Sequence, residues 1–354
     1  MRIGILTLRL YDNYGGILQN YALCKCLTDM GHDVESFDLQ KPIRLKQKIK
    51  NIIRPKHNVN CVTKSSIDDF IQKYIPKTNY KIRFPSQFLI DHKIQQYDAY
   101  IVGSDQVWRR QYMEYGLKNM FLGFVRDNKK IKMSYAASFG LDNVCEYSDN
   151  DINKAKRYLS KFKGISVREN SGIQICKNFF KQDAVQVLDP TFLLPVAEYD
   201  RFADQDKKQN KGDLLVYFLD QTEMKKQVLN YILSNHNFIP FSYNTLNKDI
   251  DAPSVQQWLK GFRDAKFIVT DSFHGCVFSI IFNKTFIVIG NEKRGMSRFT
   301  SLLSLFGLED RLLNTYNKQE IQRIFEKDIN WHDVNSKLAA LRDSSISFLK
   351  NHLS

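Results

Sequence analysis

Short apolar runs alternate along this chain with stretches in which apolar residues return every three to four positions. That is the pattern of an α/β protein built on parallel strands. Residues 2–8 read as a buried strand, Gly15 and Gly16 open a helix carrying Ile17, Tyr21, Leu23, Leu27 and Met30, and Gly31 closes it. Residues 34–39 then complete a βαβ unit. Further strands are expected at 99–103, 131–136, 164–167 and 185–188. The second half repeats the grammar, with strands at 214–219, 238–243, 267–270 and 286–290 and helices at 224–233, at 255–263 and after His274.

A boundary is expected at 189–200, where a strand ends, Pro190 and Pro195 punctuate, and polar residues follow as far as Gly212. This divides the chain into an N-terminal domain (1–190), a second domain (191–330) and a C-terminal helix (331–354) able to pack back on the first domain. The helix carries Val334, Leu338, Leu341, Phe348 and Leu349 on one face, with Ser345 the only polar break.

Composition narrows the class. The 354 residues suit two domains. Hydrophobic residues at 43% and charged ones at 25% exclude wholesale disorder, and 16 glycines with 8 prolines exclude collagen-like chains. The formal charge of +14 points to an anionic partner: nucleic acid, anionic lipid, or a phosphorylated or carboxylated substrate. No nucleic-acid module is recognisable. Half of that charge lies in residues 41–57, with seven Lys or Arg and no acid. Leu45, Ile49, Ile52 and Ile53 there recur at helical spacing, so the segment is either an interfacial helix on an anionic membrane or a helix on the first domain with its charges in water.

The six cysteines form no Cys-x-x-Cys pair and no grouping with histidine, so no metal site is expected. The N-terminal apolar run is too short for a signal peptide and no stretch approaches ~18 apolar residues. The expectation is a reduced, cytoplasmic protein, with peripheral contact at the inner membrane face left open.

In an open parallel sheet ligands bind beyond the carboxyl ends of the strands, so the strand tips carry the chemistry. The most informative is Thr270-Asp271-Ser272-Phe273-His274-Gly275, where a buried strand gives way to polar residues ahead of an apolar helix. His274 there either satisfies the turn or acts as an acid or base. Lys293, Arg294 and Arg298 follow the next strand and suit phosphate or carboxylate, unless they form a solvated loop. Arg168 follows the strand at 164–167, with an ion pair to Glu169 or Asp189 as the alternative role. The tip Gly103-Ser104-Asp105-Gln106-Val107-Trp108 either lines a sugar site or caps the next helix through Asp105. No Gly-x-Gly-x-x-Gly, Walker lysine or Gly-x-Ser-x-Gly occurs, against dinucleotide, nucleotide-hydrolysing and α/β-hydrolase readings.

Taken in order, Asn13-Tyr14-Gly15-Gly16 with Gln19-Asn20, the 103–108 tip, Ser166-Val167-Arg168, Leu188-Asp189-Pro190 and the 270–275 tip resemble the polysaccharide pyruvyl transferase family. The resemblance implies two Rossmann-like domains facing a central cleft, as in GT-B glycosyltransferases. It implies phosphoenolpyruvate as co-substrate, no further cofactor, and a lipid-linked or nucleotide-linked saccharide acceptor. His274 would be the general acid. Arg168, Ser272, Phe273, Lys293, Arg294 and Arg298 would hold the donor. Asn13, Gly15, Gly16, Gln19, Ser104, Asp105, Gln106 and Trp108 would hold the acceptor, the first domain being the acceptor side and the second the donor side. One departure stands out: many members carry an arginine where this chain has Ser272. The rival readings are a GT-B glycosyltransferase with a nucleotide-sugar donor, although no Glu-x7-Glu pair occurs, and a non-catalytic protein that binds anionic glycan or lipid.

Overall fold

The computed structural model describes residues 1–42, 66–243, 252–290 and 295–354. Its strands follow the apolar runs. Among the described residues the first sheet has seven parallel strands: β1 (Arg2–Leu6), β2 (Asp33–Leu39), β3 (Lys77–Ile82), β4 (Ala99–Asp105), β5 (Ile131–Ala137), β6 (Ser166–Val167) and β7 (Val185–Gln186). Their spatial order is β3-β2-β1-β4-β5-β6-β7. The second sheet contains β8 (Leu214–Tyr217), β9 (Pro240–Ser242), β10 (Phe267–Thr270), β11 (Thr285–Ile289) and β12 (Leu312–Leu313) in the order β12-β11-β10-β8-β9, again parallel. In each sheet the order reverses beside the first strand, at β1/β4 and at β8/β10. Those are the topological switch points at which such sheets open a crevice.

Five helices position the site: α1 (Tyr14–Asp29), α2 (Val255–Asp264), α3 (Phe273–Ile281), α4 (Ser297–Phe306) and α5 (Trp331–Leu353). Helix α1 is buried almost all round, because one side lies on the first sheet and its start faces the second domain. Tyr14 stacks on Trp258 of α2, with centroids 5.5 Å apart, and its hydroxyl donates to the Pro253 carbonyl at 2.6 Å. One apolar cluster therefore runs from β1, β5 and α1 through residues 192–203 into α2, α3, α4 and α5. Separate clusters cover the outer faces of the two sheets.

Helix α5 returns to the first domain, and its polar break has a specific use. Ser345 Oγ donates to the Leu341 carbonyl at 2.7 Å and accepts from the Leu188 amide at 3.0 Å. Arg342 reaches the Phe192 carbonyl at 2.6 Å, and Phe348 lies near Tyr135 of β5.

Several expected elements differ. The strand expected at 164–167 is reduced to β6, with Gly164 making one isolated bridge to Met133. The strand expected at 238–243 is reduced to β9. Strand β3, the helix Ser66–Tyr74 and β12 were not expected. In β3 only Thr78 and Ile82 are buried, so this edge strand shows no apolar run. The basic segment lies outside the described residues from position 43 onward, as do Lys293 and Arg294. No described helix is long and apolar enough to cross a membrane.

Candidate active site

Two helix starts meet between the domains. Asn13 caps α1, its Oδ1 accepting from the Gly16 amide at 3.1 Å, and Ser272 caps α3, its Oγ accepting from the Gly275 amide at 3.2 Å. Each start brings unpaired amides and a partial positive charge to the same place. His274, in the first turn of α3, lies directly on Gly15: a β-carbon there would fall 2.0 Å from Nδ1. Only glycine allows this approach. Nε2 faces Asp189 Oδ2 at 3.5 Å and is shielded from solvent.

Asp189 is built to hold that ring. The turn after β7 places it, with Oδ1 accepting from the Thr191 amide at 3.1 Å and the Thr191 hydroxyl at 2.8 Å. Oδ2 accepts from Arg168 NH1 at 2.9 Å. Burial alone would raise this carboxyl, but His274, Arg168 and Thr191 outweigh it and hold Asp189 well below the usual carboxylate range. It is a fixed, buried anion beside His274.

Arg168 is more enclosed than its strand-end position suggests. Its side chain is 3% exposed and surrounded by Asp105 at 3.3 Å, Asp189 at 2.9 Å and Glu169 at 3.9 Å. The ion-pair alternative is thus what the structure shows. Burial opposes its charge, yet the three carboxylates raise it above the ordinary arginine value. The guanidinium carbon lies 4.2 Å from the centre of the Phe273 ring. Arg298, from α4, stands 5.7 Å from the same ring, so Phe273 has a cation at each of two approaches. Burial, with Arg168 adding to it, pushes the Arg298 guanidinium down to about 10. It stays charged at neutral pH, buried against Phe273, the residue after Ser272. A glycine contact closes the region: Gly295 has φ +90°, and a β-carbon on it would strike the Gly140 carbonyl at 1.8 Å.

A cavity of about 500 Å³ opens at the β1/β4 switch point toward the end of β8. Thr7, Arg9, Tyr11, Asp12 and Asn13 follow β1, Asp105 ends β4 and Gln106 follows it, and Tyr217 and Leu219 come from the second domain. Clefts at switch points between domains are the default ligand sites of such folds. Asn13, Asp105 and Gln106 line it, and Asp105 Oδ1 is engaged by Arg168.

The other five expected acceptor residues are placed elsewhere: Gly15 lies against His274, the Gly16 amide is taken by Asn13, and Gln19, Ser104 and Trp108 turn inward. Trp108 is fully buried, stacked on Phe121 at 5.1 Å, with its indole N–H donated to the Met120 carbonyl, so no ring face is left for a sugar. Gln19 and Ser104 are also buried. The Gln19 amide donates to Thr7 Oγ1 and the Gly16 carbonyl and accepts from the Ser104 amide, and the Ser104 hydroxyl donates to the Ala136 carbonyl. Both sew β1, β4, β5 and α1 together at their tips. Their polar side chains read as site residues because the tip of a strand looks alike whether it faces a cleft or a neighbouring strand.

A family model for polysaccharide pyruvyl transferases matches residues 13–293. The chain belongs to that family. No curated protein matches. Solved structures resemble the fold: the UDP-GlcNAc 2-epimerase of Neisseria meningitidis (TM-score 0.54, 9% identity, 100% of this chain and 99% of that one) and that of Methanocaldococcus jannaschii (TM-score 0.54, 13% identity, 93% of each chain). A glycotransferase of kitacinnamycin is similar at TM-score 0.50 and 9% identity, with 100% of this chain and 99% of that one covered. At such identity the likeness is one of fold alone, the two-domain GT-B arrangement.

Within this pyruvyl transferase fold, several residues escaped the sequence reading. Glu169 accepts at Oε1 from the Ser138 hydroxyl at 2.6 Å and the Phe139 amide at 3.0 Å, which ties β6 to the loop after β5. Arg109 is buried, 3.4 Å from Glu146 and 3.2 Å from the Gln106 amide oxygen. Asp271, inside the family motif, has an internal role. It accepts from the Leu219 amide at 2.7 Å and pairs with buried Lys225 at 2.6 Å, which locks the β8/β10 switch point. Charge order along the chain carries no signal of which carboxylate meets which cation. For Arg168 alone the sequence names partners, Glu169 and Asp189, and the structure adds Asp105.

Proposed function

We propose that this protein transfers pyruvate from phosphoenolpyruvate to two hydroxyls of a saccharide, forming a ketal in cell-surface or exopolysaccharide biosynthesis. The observation that carries the reading is His274 at the start of α3, set against Asp189 and Gly15 and beside the cations that flank Phe273. Ketal formation needs a proton on the methylene carbon of the enol phosphate, and His274 is the group suited to give it. One sugar hydroxyl then forms a C–O bond to the central carbon and gives its proton to the now neutral His274, which restores the acid. A second hydroxyl forms the next C–O bond as the C–O bond to phosphate breaks, and inorganic phosphate leaves with the remaining proton. Arg298 and the two helix starts supply the positive field that a phosphate and a carboxylate require. Asp189 keeps the imidazole oriented. Lys293 and Arg294 are proposed to join the donor site from the adjoining segment.

The experiment is phosphate release from phosphoenolpyruvate with a panel of lipid-linked and nucleotide-linked sugars. Phosphate released only when an acceptor is present supports the reading. Release of a nucleotide from a nucleotide-sugar, with phosphoenolpyruvate inert, would replace it with glycosyl transfer.

A further inference from the structure

A second cavity, of about 650 Å³, lies on the side of the first domain where the strands begin, away from the strand tips. Three separate elements wall it: Met30 at the end of α1, Leu193, Leu194 and Pro195 in the segment that joins the domains, and Ile346 and Leu353 of α5. Its size falls within the range of small-molecule pockets, roughly 300–1,000 Å³. Leu193, Leu194 and Leu353 are buried, and Ile346 is half-buried. Cys26 belongs to the same wall. Burial pushes its thiol up to about 11, so at neutral pH it is apolar surface and not a nucleophile. Among the described residues no Phe, Tyr or Trp lines this cavity, which leaves no aromatic platform for a base or a sugar. Its shape and chemistry suit an aliphatic chain.

The polar groups that line it are unequal. Both Asp29 oxygens accept from Lys25, at 2.5 and 2.6 Å, so that acid already has its counter-ion. Burial lowers the His32 imidazole, which is therefore uncharged at neutral pH. The Ser354 carbonyl accepts from Lys163 at 2.6 Å. Lys350, exposed in the last turn of α5, makes no ion pair with a carboxylate among the described residues. One cation without a counter-ion thus stands in water beside a buried aliphatic wall. We propose that this cavity binds a single-chain amphiphile with an anionic head, its chain against Leu193, Leu194 and Leu353 and its head on Lys350. The site is independent of the pyruvyl-transfer reading. It abuts the segment that carries Asp189: Arg342 reaches the Phe192 and Leu194 carbonyls, and Ser345, next to Ile346, accepts from the Leu188 amide.

The test is calorimetry on the full chain at neutral pH with octanoate, decanoate and octanol, each kept below its micelle or solubility limit. Both carboxylates should bind at one site. Decanoate should bind about 10-fold more tightly than octanoate, the worth of two further buried methylenes. Lys350→Gln should weaken decanoate binding by about 3- to 10-fold, the scale of one partly exposed contact to a charged group, and should leave octanol binding unchanged. Ile346→Trp and Met30→Trp each place a ring in the cavity and should abolish binding of all three probes, with thermal melting to show that the chain is folded. The lysine variant changes only an exposed side chain, so it decides the question if a tryptophan variant does not fold. Absence of decanoate binding would overturn the proposal. So would adsorption at many sites without saturation, affinity that does not rise with chain length, or decanoate binding undiminished in Lys350→Gln or in a folded tryptophan variant.

Discussion

Gly15 and His274 are in direct contact across the domain interface, with room for no atom between the Gly15 backbone and the imidazole. Helix α1 of the first domain thereby sets the position of the histidine that opens α3 of the second. Gly15→Ala must displace either the ring or the helix. Because a shift of about 1 Å can cost ~10²-fold in rate, turnover should fall by roughly that factor. Thermal melting and phosphate release measured together check this, and a fully active, fully folded variant would break the link.

His274→Ala should lower turnover by about 10²–10⁴-fold, the range for losing a general acid. Phosphoenolpyruvate affinity, measured by calorimetry, should change far less. A rate near that of the wild type would remove His274 from the chemistry.

The two arginines beside Phe273 should respond differently. Removing Arg168 leaves Asp105, Asp189 and Glu169 facing one another in a buried site, so Arg168→Ala should cost about 3–5 kcal/mol of stability. Arg298→Gln should instead weaken phosphoenolpyruvate binding by about 10-fold or more, the loss of a hydrogen bond to a charged group. Urea melts and calorimetry on both variants separate the two roles. Equal loss of donor affinity with unchanged stability in both would contradict the assignment.

Asp189 gives the acid limb of stability a direction. Its folded-state pKa lies below the ordinary carboxyl value of 3.8, so its contribution is present above that value. The contribution is lost as pH falls, because the unfolded chain takes up the proton first. Asp189→Asn should be less stable at neutral pH and lose less stability between about pH 5 and pH 2 than the wild type does. Urea unfolding across that range measures it, and parallel curves would show that Asp189 is not the titrating group.

Ser345→Ala removes the acceptor for the buried Leu188 amide, one residue before Asp189. Leaving that donor unsatisfied should cost about 1–3 kcal/mol. A change within experimental error of zero in the urea midpoint would mean the amide finds another acceptor.

The sequence by itself determined the local elements and the family. Continuous apolar runs such as Phe267–Thr270 dictate buried parallel strands, because a strand covered on both faces admits no polar alternation. Asn13 and Ser272 read as binding residues, and the structure uses both side chains as helix caps. His274, the glycine beside it and the strand-end tips could be read as a constellation because their spacing along the chain is fixed by those elements. What the tertiary structure decided is which polar groups face the cleft and which face each other. Trp108 turned inward to stack on Phe121 and donate to the Met120 carbonyl, and Gln19 turned inward to meet Thr7 and the Ser104 amide at the strand tips. Arg168 is surrounded by carboxylates from three separate segments, and Tyr11 and Tyr112 line one cavity from distant parts of the sequence. Such partnerships depend on where sheets and helices pack in space. Pattern along the chain reports only what a residue's own helix or strand requires of it.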